Sequence, residues 1–258
     1  MISLSSRPPE ITNHRFNVMI AVFAFASQRA GGERSVLCRV LDGRALEGVD
    51  PADEALLTRD EREHYLELKN EKTRALSIRT RAELRRMLGR ELGLDPHDVP
   101  LLPDAYGKPR CPHARAAGMD FSVSHADECA LIAVGEAAAI GVDVEGIIRD
   151  EPEDEMLDII FDQSEREHWS SLPEEMHRKA FTQAWTIKEA ALKAHGTGLY
   201  GSPHTVTVKF DSQGNALPVF KSPFWMYERI NVCECYAASF LALIPDDGIG
   251  RHVPSMLV

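Results

Sequence analysis

The chain has 258 residues, of which 44% are apolar, so it can form one large domain or two smaller ones with a sizeable core. The formal net charge is −11, which argues against general binding to nucleic acids or to membrane surfaces. The five cysteines are odd in number and show no paired Cys-x-x-Cys spacing. A disulfide framework and a zinc site are therefore not expected, and a cytoplasmic protein fits best.

The first half of the chain is predicted to begin after a polar, flexible leader at residues 1–16. Two strands follow at 17–25 and 35–41, with a Gly-Gly turn between them. The first of these runs also resembles the apolar part of a signal peptide, although it is too short to span a membrane. Three helices are predicted next, at 50–55, 58–69 and 71–92. Gly93 is expected to end the third.

The third predicted helix carries a basic block. Between residues 72 and 90 it has seven lysines and arginines against Glu83 alone. In an acidic protein this block indicates either a solvated helix face or a site for a polyanion.

The second half is predicted to follow a linker at 113–118. The expected elements are strands at 121–124, 129–135 and 140–145, helices at 156–161, 164–168 and 178–194, and strands at 205–210 and 233–244. Ser164 is the expected N-cap of the second helix, and Gly196 is the expected C-cap of the third. Residues 222–229 have no clear pattern. Because strands, helices and strands occur twice in the same order, the sequence indicates two similar α+β halves.

Two acidic residues lie in the apolar, β-branched run from Ala139 to Glu145, which favours a strand. Because strand side chains alternate between faces, Asp143 and Glu145 should share one face while the valines beside them point into a core. Two carboxylates on one face repel each other unless a cation lies between them, and hard oxygen ligands suit Mg²⁺. A solvated edge strand is the alternative interpretation of this short motif.

The helix predicted over 178–194 has two kinds of face. Small and apolar residues repeat at steps of four and three, which indicates a packed stripe. Trp185, Glu189 and Lys193 step by four along a different face, so their side chains should form one row. The same Glu–Lys spacing is also typical of a surface ion pair. Lys188 lies close to the apolar stripe, so its stem should be partly buried.

Three motifs occur in a fixed order along the chain. They are Ser-Val-Ser-His-Ala at 122–126, Gly-Val-Asp-Val-Glu at 141–145 and Trp-Thr-Ile-Lys-Glu-Ala-x-x-Lys at 185–193. In this order they resemble the signature of the 4′-phosphopantetheinyl transferases of the Sfp type. Gly107-Lys108-Pro109 upstream and Gly196-Thr197-Gly198-Leu199 downstream support the resemblance, which covers about residues 17–245.

The resemblance implies a fold and a reaction. Sfp-type enzymes are pseudo-dimers of two similar α/β halves, each a small antiparallel sheet packed on a long helix, with coenzyme A bound in the cleft between them. The corresponding halves would be 17–118 and 119–247, the second with the metal and catalytic motifs, and residues 248–258 would be a tail. The implied reaction is Mg²⁺-dependent transfer of 4′-phosphopantetheine from coenzyme A to a serine of an apo acyl or peptidyl carrier protein, with release of 3′,5′-ADP.

The resemblance also implies roles for individual residues. Asp143, Glu145 and Glu189 would bind Mg²⁺, and Glu189 could also take the serine proton, directly or through water. Lys193 would bind the α-phosphate and stabilise the leaving group. Further contacts with the coenzyme would come from Arg74, Arg81, Lys108, Ser124, His125 and Lys188. Glu165 could orient the metal shell or cap its own helix.

Two other functions are consistent with parts of the sequence. A non-catalytic module could bind coenzyme A or a carrier protein, but such a module would not need three clustered carboxylates. A metal-dependent phosphodiesterase also uses carboxylates and a lysine, but the acidic net charge argues against a nuclease. The expected protein is a monomer that acts on coenzyme A and a carrier protein, without a nucleic-acid or membrane partner.

Overall fold

The structure is a computed structural model, and it describes residues 4–6, 18–26, 33–105 and 107–244. The chain divides into two compact units, 1–137 and 138–258. Helices and antiparallel sheets occur in both units, which confirms the predicted α+β class. The similarity of two halves in a pseudo-dimer stays a prediction.

Unit 1 contains seven strands and four α-helices among the described residues. The strands are β1 (Leu4–Ser6), β2 (Val18–Ala26), β3 (Glu33–Asp42), β4 (Leu102–Pro103), β5 (Pro109–Arg110), β6 (Asp120–Ala126) and β7 (Cys129–Gly135). The helices are α1 (Pro51–Glu54), α2 (Arg59–Leu66), α3 (Glu71–Leu92) and α4 (Pro112–Ala116). Five strands form an antiparallel sheet in the order β1-β2-β3-β7-β6, and β4 pairs with β5.

The boundary between the units differs from the one expected at 118/119. The division falls after Ala137, because β7 pairs with β3 over Val36–Asp42 and β6 pairs with β7. Two strands expected in the second half therefore belong to the sheet of unit 1. Within the predicted leader, Leu4–Ser6 forms β1, and the remaining leader residues and the predicted tail lie outside the described residues.

Helix α3 begins and ends where its sequence predicts. Asn70 caps its first turn by accepting a hydrogen bond from the Thr73 N–H, and Gly93 ends it in the left-handed conformation at φ 66°. Leu76, Leu84 and further apolar side chains of α3 are buried in a core that includes Ile132 of β7.

Unit 2 contains five strands and three α-helices among the described residues. They are β8 (Ala139–Gly146), α5 (Asp154–Ile160), α6 (Gln163–Ser170), α7 (Glu174–His195), β9 (Thr207–Phe210), β10 (Ala216–Val219), β11 (Trp225–Arg229) and β12 (Tyr236–Leu243). Strands β11, β12 and β8 form one antiparallel sheet, and β9 and β10 form a hairpin. Strand β11 occupies the stretch without a clear sequence pattern, and β10 has no counterpart among the predicted elements.

Helix α7 packs closely on the sheet of β8 and β12. A Cβ atom at Gly141 of β8 would lie 1.7 Å from the Ala190 carbonyl oxygen, so only glycine allows the helix to come this near. Ala180, Ala184, Ile187 and further small or apolar residues of α7 are buried in the core between the helix and this sheet. This close approach places the polar side chains of α7 beside those of β8.

Two helix ends in unit 2 differ from the prediction. The N-cap of α6 is Asp162 rather than Ser164, and its carboxylate accepts from the Glu165 N–H in a capping box. Helix α7 begins at Glu174 instead of Arg178, and Gly196 ends it at φ 81° as predicted.

No helix in the described part of the chain is long and apolar enough to cross a membrane.

Candidate active site

Strand β8 presents two carboxylates on one face. Val142 and Val144 are fully buried on the opposite face, in agreement with the alternation of the sequence. Asp143 and Glu145 share the face of Gly141, which is the face that α7 covers. Asp143 is buried and Glu145 is partly buried, so neither belongs to a solvated edge.

Helix α7 contributes one side chain per turn to the same place. The Lys193 Nζ atom lies 2.6 Å from Asp143 Oδ1. The Trp185 indole acts on the Glu145 carboxylate and lowers its pKa, and Glu189 lies between Trp185 and Lys193 on the row. The structure therefore brings together four of the predicted site residues, and it adds Trp185, for which the sequence indicates a position but no role.

The electrostatics of this group show an excess of negative charge. Burial, with a further contribution from Asp143, raises the pKa of Glu145 to about 7, while Trp185 and Lys193 oppose the shift. Burial and Asp143 also raise the pKa of Glu189, and Lys193 lowers it. Three carboxylates thus lie close to a single lysine. This arrangement favours the binding of an additional cation.

The donor set fits a hard divalent cation that a substrate helps to bind. Among the described residues, no group of three or more His, Cys, Asp or Glu side chains is arranged to hold a metal ion by itself. Mg²⁺ does not need such a cage, because it usually takes one or two carboxylates and completes its shell with water and substrate phosphates. Asp143, Glu145 and Glu189 offer only carboxylate oxygens, in agreement with that preference.

Lys188 has a different environment from the one predicted. It is 1% exposed, and its Nζ atom donates to both Glu165 carboxylate oxygens, at 2.9 and 2.8 Å, and to the Pro203 carbonyl at 3.1 Å. An ammonium group has three N–H donors, so these contacts leave none for a coenzyme phosphate.

Glu165 joins several elements of unit 2. Besides Lys188, its carboxylate accepts from the Val208 N–H of β9 at 2.7 Å and from the Asp162 N–H at 2.9 Å. Of the two roles considered for Glu165, the structure shows the helix cap and no contact with the carboxylate group around Asp143.

The predicted coenzyme contacts of α3 are partly neutralised inside unit 1. The Arg81 Nε atom lies 3.3 Å from Glu61, and Arg85, 1% exposed, also pairs with Glu61 at 2.9 Å. Arg74 donates to the Leu68 carbonyl at 3.3 Å. The basic block is therefore less open than its composition indicates, because acidic residues of α1 and α2 pair with it.

The other predicted contacts of unit 1 lie on or near β6. Lys108 is largely buried, which lowers its pKa, and its Nζ atom is 3.4 Å from Asp120 Oδ2. Ser124 is buried, whereas His125 is exposed near the end of the strand. Of these three residues, His125 is the most accessible to a ligand.

Comparison with known proteins finds a match for the segment that contains the carboxylates. Residues 139–237 match the sequence model of the 4′-phosphopantetheinyl transferase superfamily. This segment is similar in sequence to that superfamily. The match includes all of α7 and all of β8, and with them Asp143, Glu145, Glu189 and Lys193.

Two curated relatives cover parts of the chain. The 4′-phosphopantetheinyl transferase HetI of Nostoc sp. is 37% identical over 120 residues, which are 46% of this chain and 51% of HetI. The protein slr0495 of Synechocystis sp., whose name assigns the same activity provisionally, is 30% identical over 158 residues, which are 60% of this chain and 63% of slr0495. The chain thus matches less than two thirds of the length of either relative. Assignment to the Sfp type stays a prediction.

Proposed function

We propose that this protein transfers the 4′-phosphopantetheine group of coenzyme A to a serine of an apo acyl or peptidyl carrier protein. The observation that carries the proposal is the convergence of Asp143, Glu145, Glu189 and Lys193 inside the segment that matches the superfamily. The names of the two relatives, of which that of slr0495 gives the activity provisionally, support the same reaction.

In the proposed reaction the serine oxygen attacks the β-phosphorus of coenzyme A. The bond from that phosphorus to the oxygen bridging to the α-phosphate breaks, and 3′,5′-ADP leaves. Phosphoryl transfer of this kind depends mainly on positioning and on neutralisation of the charge that develops on the phosphate oxygens. A site of carboxylates, a cation and a lysine meets these needs without a covalent intermediate on the protein.

Asp143, Glu145 and Glu189 would hold Mg²⁺ in this site. The ion would neutralise charge on the pyrophosphate. With the ion bound, its positive charge would oppose the effects of burial and of Asp143, which raise the pKa of Glu145 and Glu189.

Lys193 would stabilise the leaving group. Its side chain is 26% exposed, so its ammonium can contact both Asp143 and an incoming phosphate. Positive charge near the oxygen that leaves with the α-phosphate lowers the energy of the transition state.

Glu189 would take the proton of the attacking serine, directly or through water. A carboxylate positioned beside the attacking hydroxyl can act as a general base. Further coenzyme contacts would come from His125, Ser124, Lys108, Arg74 and Arg81, with His125 the most accessible. The surroundings of Lys188 favour a structural role instead.

The direct test incubates the full chain with coenzyme A, Mg²⁺ and a panel of apo carrier proteins, and measures the intact mass of each carrier. The proposal predicts the mass increase of one phosphopantetheine group on at least one carrier, and no increase without Mg²⁺ or coenzyme A. Binding of coenzyme A without any mass increase on any carrier would indicate a binding module. Cleavage of coenzyme A or of a nucleic acid without a carrier would indicate a phosphodiesterase.

A further inference from the structure

Two buried hydroxyl groups lie beside the proposed metal ligands of unit 2. Ser239 of β12 is the direct cross-strand partner of Asp143 on β8, so both side chains lie on the sheet face that α7 covers. The Ser239 Oγ atom is 2.9 Å from the Thr186 Oγ1 atom of α7. Both side chains are almost fully buried. Thr186 and Ser239 are called the hydroxyl pair.

The hydroxyl pair lies in a contact between α7 and the sheet that is otherwise rich in apolar side chains. Ile187 and Ala190 of α7 and Leu241 of β12 are buried there. A buried pair of hydroxyl groups adds little stability over an apolar pair of the same shape, because both groups give up their hydrogen bonds with water. Such a pair is typical of a place where the fold serves a function.

The direction of the hydrogen bond within the pair follows from the number of protons. The Thr186 hydroxyl donates its proton to the Gln183 carbonyl at 2.9 Å. Because a hydroxyl group has a single proton, the proton between Thr186 and Ser239 is that of Ser239. Ser239 therefore has no proton for its neighbour Asp143, although paired strands place their Cβ atoms only about 5 Å apart.

We infer that Thr186 is a positioning residue for the metal site, because it holds the Ser239 proton away from the Asp143 carboxylate. A hydroxyl proton on that carboxylate would occupy an acceptor position that Lys193 and a divalent cation use. The inference rests on the metal site of the proposed function, and it gives a role to Thr186 of the motif at 185–193.

Ser239 also acts on the Tyr227 hydroxyl of β11, whose pKa burial raises and Arg229 and Ser239 lower. A carboxylate is a stronger hydrogen-bond acceptor than the neutral oxygen of a phenol. If Thr186 could not accept, the Ser239 proton would therefore turn to Asp143 and not to Tyr227.

The test measures the dissociation constant of Mn²⁺, a probe for the Mg²⁺ site, from the electron paramagnetic resonance signal of the free ion. Thr186→Val keeps the shape of the side chain and removes the acceptor. It should raise the dissociation constant about 3–10-fold, the usual worth of one net hydrogen bond. Thr186→Ser keeps the acceptor and should preserve the affinity. The double variant Thr186→Val/Ser239→Ala lacks the misdirected proton, so it should bind Mn²⁺ more tightly than Thr186→Val.

Thr182→Val is the matched control, since Thr182 is a buried threonine of α7 one turn earlier whose hydroxyl donates to the Arg178 carbonyl at 2.9 Å. It should leave the dissociation constant of Mn²⁺ unchanged. Equal dissociation constants for Thr186→Val and Thr182→Val would overturn the inference. A double variant that binds Mn²⁺ no more tightly than Thr186→Val would also overturn it, because the pair would then act only through packing.

Transfer to an apo carrier by the unsubstituted chain tests the proposed function separately. The expected pattern of Mn²⁺ affinities without any transfer would reject the proposed function and support the inference. Transfer by the unsubstituted chain with equal Mn²⁺ affinities in all variants would reject the inference alone. No binding of Mn²⁺ by the unsubstituted chain would overturn the metal site and the inference with it.

Discussion

At the scale of single residues, the charge of Glu145 is unfavourable in the metal-free fold. Its carboxylate is partly buried beside Asp143, and its pKa is raised from 4.5 to about 7. In the unfolded chain the same carboxyl group would lose its proton near pH 4.5, the usual pKa of a glutamate. Between these two pH values the folded state binds more protons, so the stability of the fold decreases as pH rises and the penalty is complete above pH 7.

Glu145→Gln should therefore stabilise the metal-free protein at pH 8. We expect a melting temperature higher by about 2–4 °C, reduced from the full electrostatic effect because Glu145 is partly exposed. The difference should shrink towards pH 5, where the folded-state carboxyl is protonated. Thermal unfolding at both pH values checks this, with Glu91→Gln, an exposed glutamate of α3, as the control. Lower stability of Glu145→Gln at pH 8 would show that the charge of Glu145 is favourable in the metal-free fold.

Asp143 raises the pKa of both glutamates and contacts Lys193, so its charge is central to the group. Asp143→Asn keeps the size of the side chain and removes that charge. We expect transfer to fall at least about 100-fold, as for loss of a group that positions and neutralises charge in the transition state, with an unfolding transition that stays cooperative. A near-normal rate at saturating Mg²⁺ would remove Asp143 from the proposed metal ligands.

At the scale of elements, the site depends on the distance between α7 and β8. A Cβ atom at Gly141 would meet backbone atoms of Ala190 and Ala194, at 1.7 and 2.8 Å, and backbone cannot move aside as a side chain can. Gly141→Ala should lower the free energy of unfolding by about 3 kcal/mol or more, which is at the upper end for overpacking.

Gly201→Ala is the matched control in the same unit. A Cβ atom there would meet side-chain atoms of Leu192 and Thr197 at 2.5 Å, and these can adjust more easily. Denaturant unfolding should therefore show a smaller loss for Gly201→Ala than for Gly141→Ala. Equal losses would mean that the close approach of α7 to β8 is not the cause.

The buried pair of Lys188 and Glu165 fixes α7 against α6 and β9. Lys188→Met should lower the free energy of unfolding by about 3–5 kcal/mol, because it leaves a buried carboxylate without its counter-charge. Adding Glu165→Gln should recover part of that loss, since it removes the uncompensated charge. The KM for coenzyme A should stay the same for Lys188→Met. A higher KM with unchanged stability would restore Lys188 as a coenzyme contact.

Local patterns predict some elements well and others poorly. The ends of α3 are predictable, because Asn70, Gly93 and the apolar spacing between them are all local. Strand β11 is not, because Trp225–Arg229 forms a strand only by pairing with β12. The partner of Lys188 is also hidden in the sequence, since Glu165 is 23 residues away and meets it only after α6 and α7 have packed.

At the scale of the whole molecule, the distribution of charge matters more than its sum. The chain is acidic overall, yet unit 1 contains an arginine-rich helix that pairs with acidic residues of two other helices. The sequence shows this block but not its partners, because Asp53 and Glu61 lie on other helices. The residues around Asp143 are predictable as a group, since each motif is short and the row on α7 follows from the helical repeat.

The central claim is that the group of Asp143, Glu145, Glu189 and Lys193 performs phosphopantetheinyl transfer. The most direct measurement is the rate of transfer to an apo carrier by Glu189→Gln, followed by intact mass over a range of Mg²⁺ concentrations. Glu91→Gln again serves as the control for loss of one exposed glutamate.

We predict that kcat for Glu189→Gln falls by roughly 10²–10⁴-fold at every Mg²⁺ concentration if Glu189 takes the serine proton. Recovery of much of the lost kcat at high Mg²⁺ would make Glu189 chiefly a metal ligand. Either result would place Glu189 in the active site. Full activity of Glu189→Gln at low Mg²⁺, equal to that of Glu91→Gln, would contradict the account, because the row on α7 would then be an ordinary ion pair.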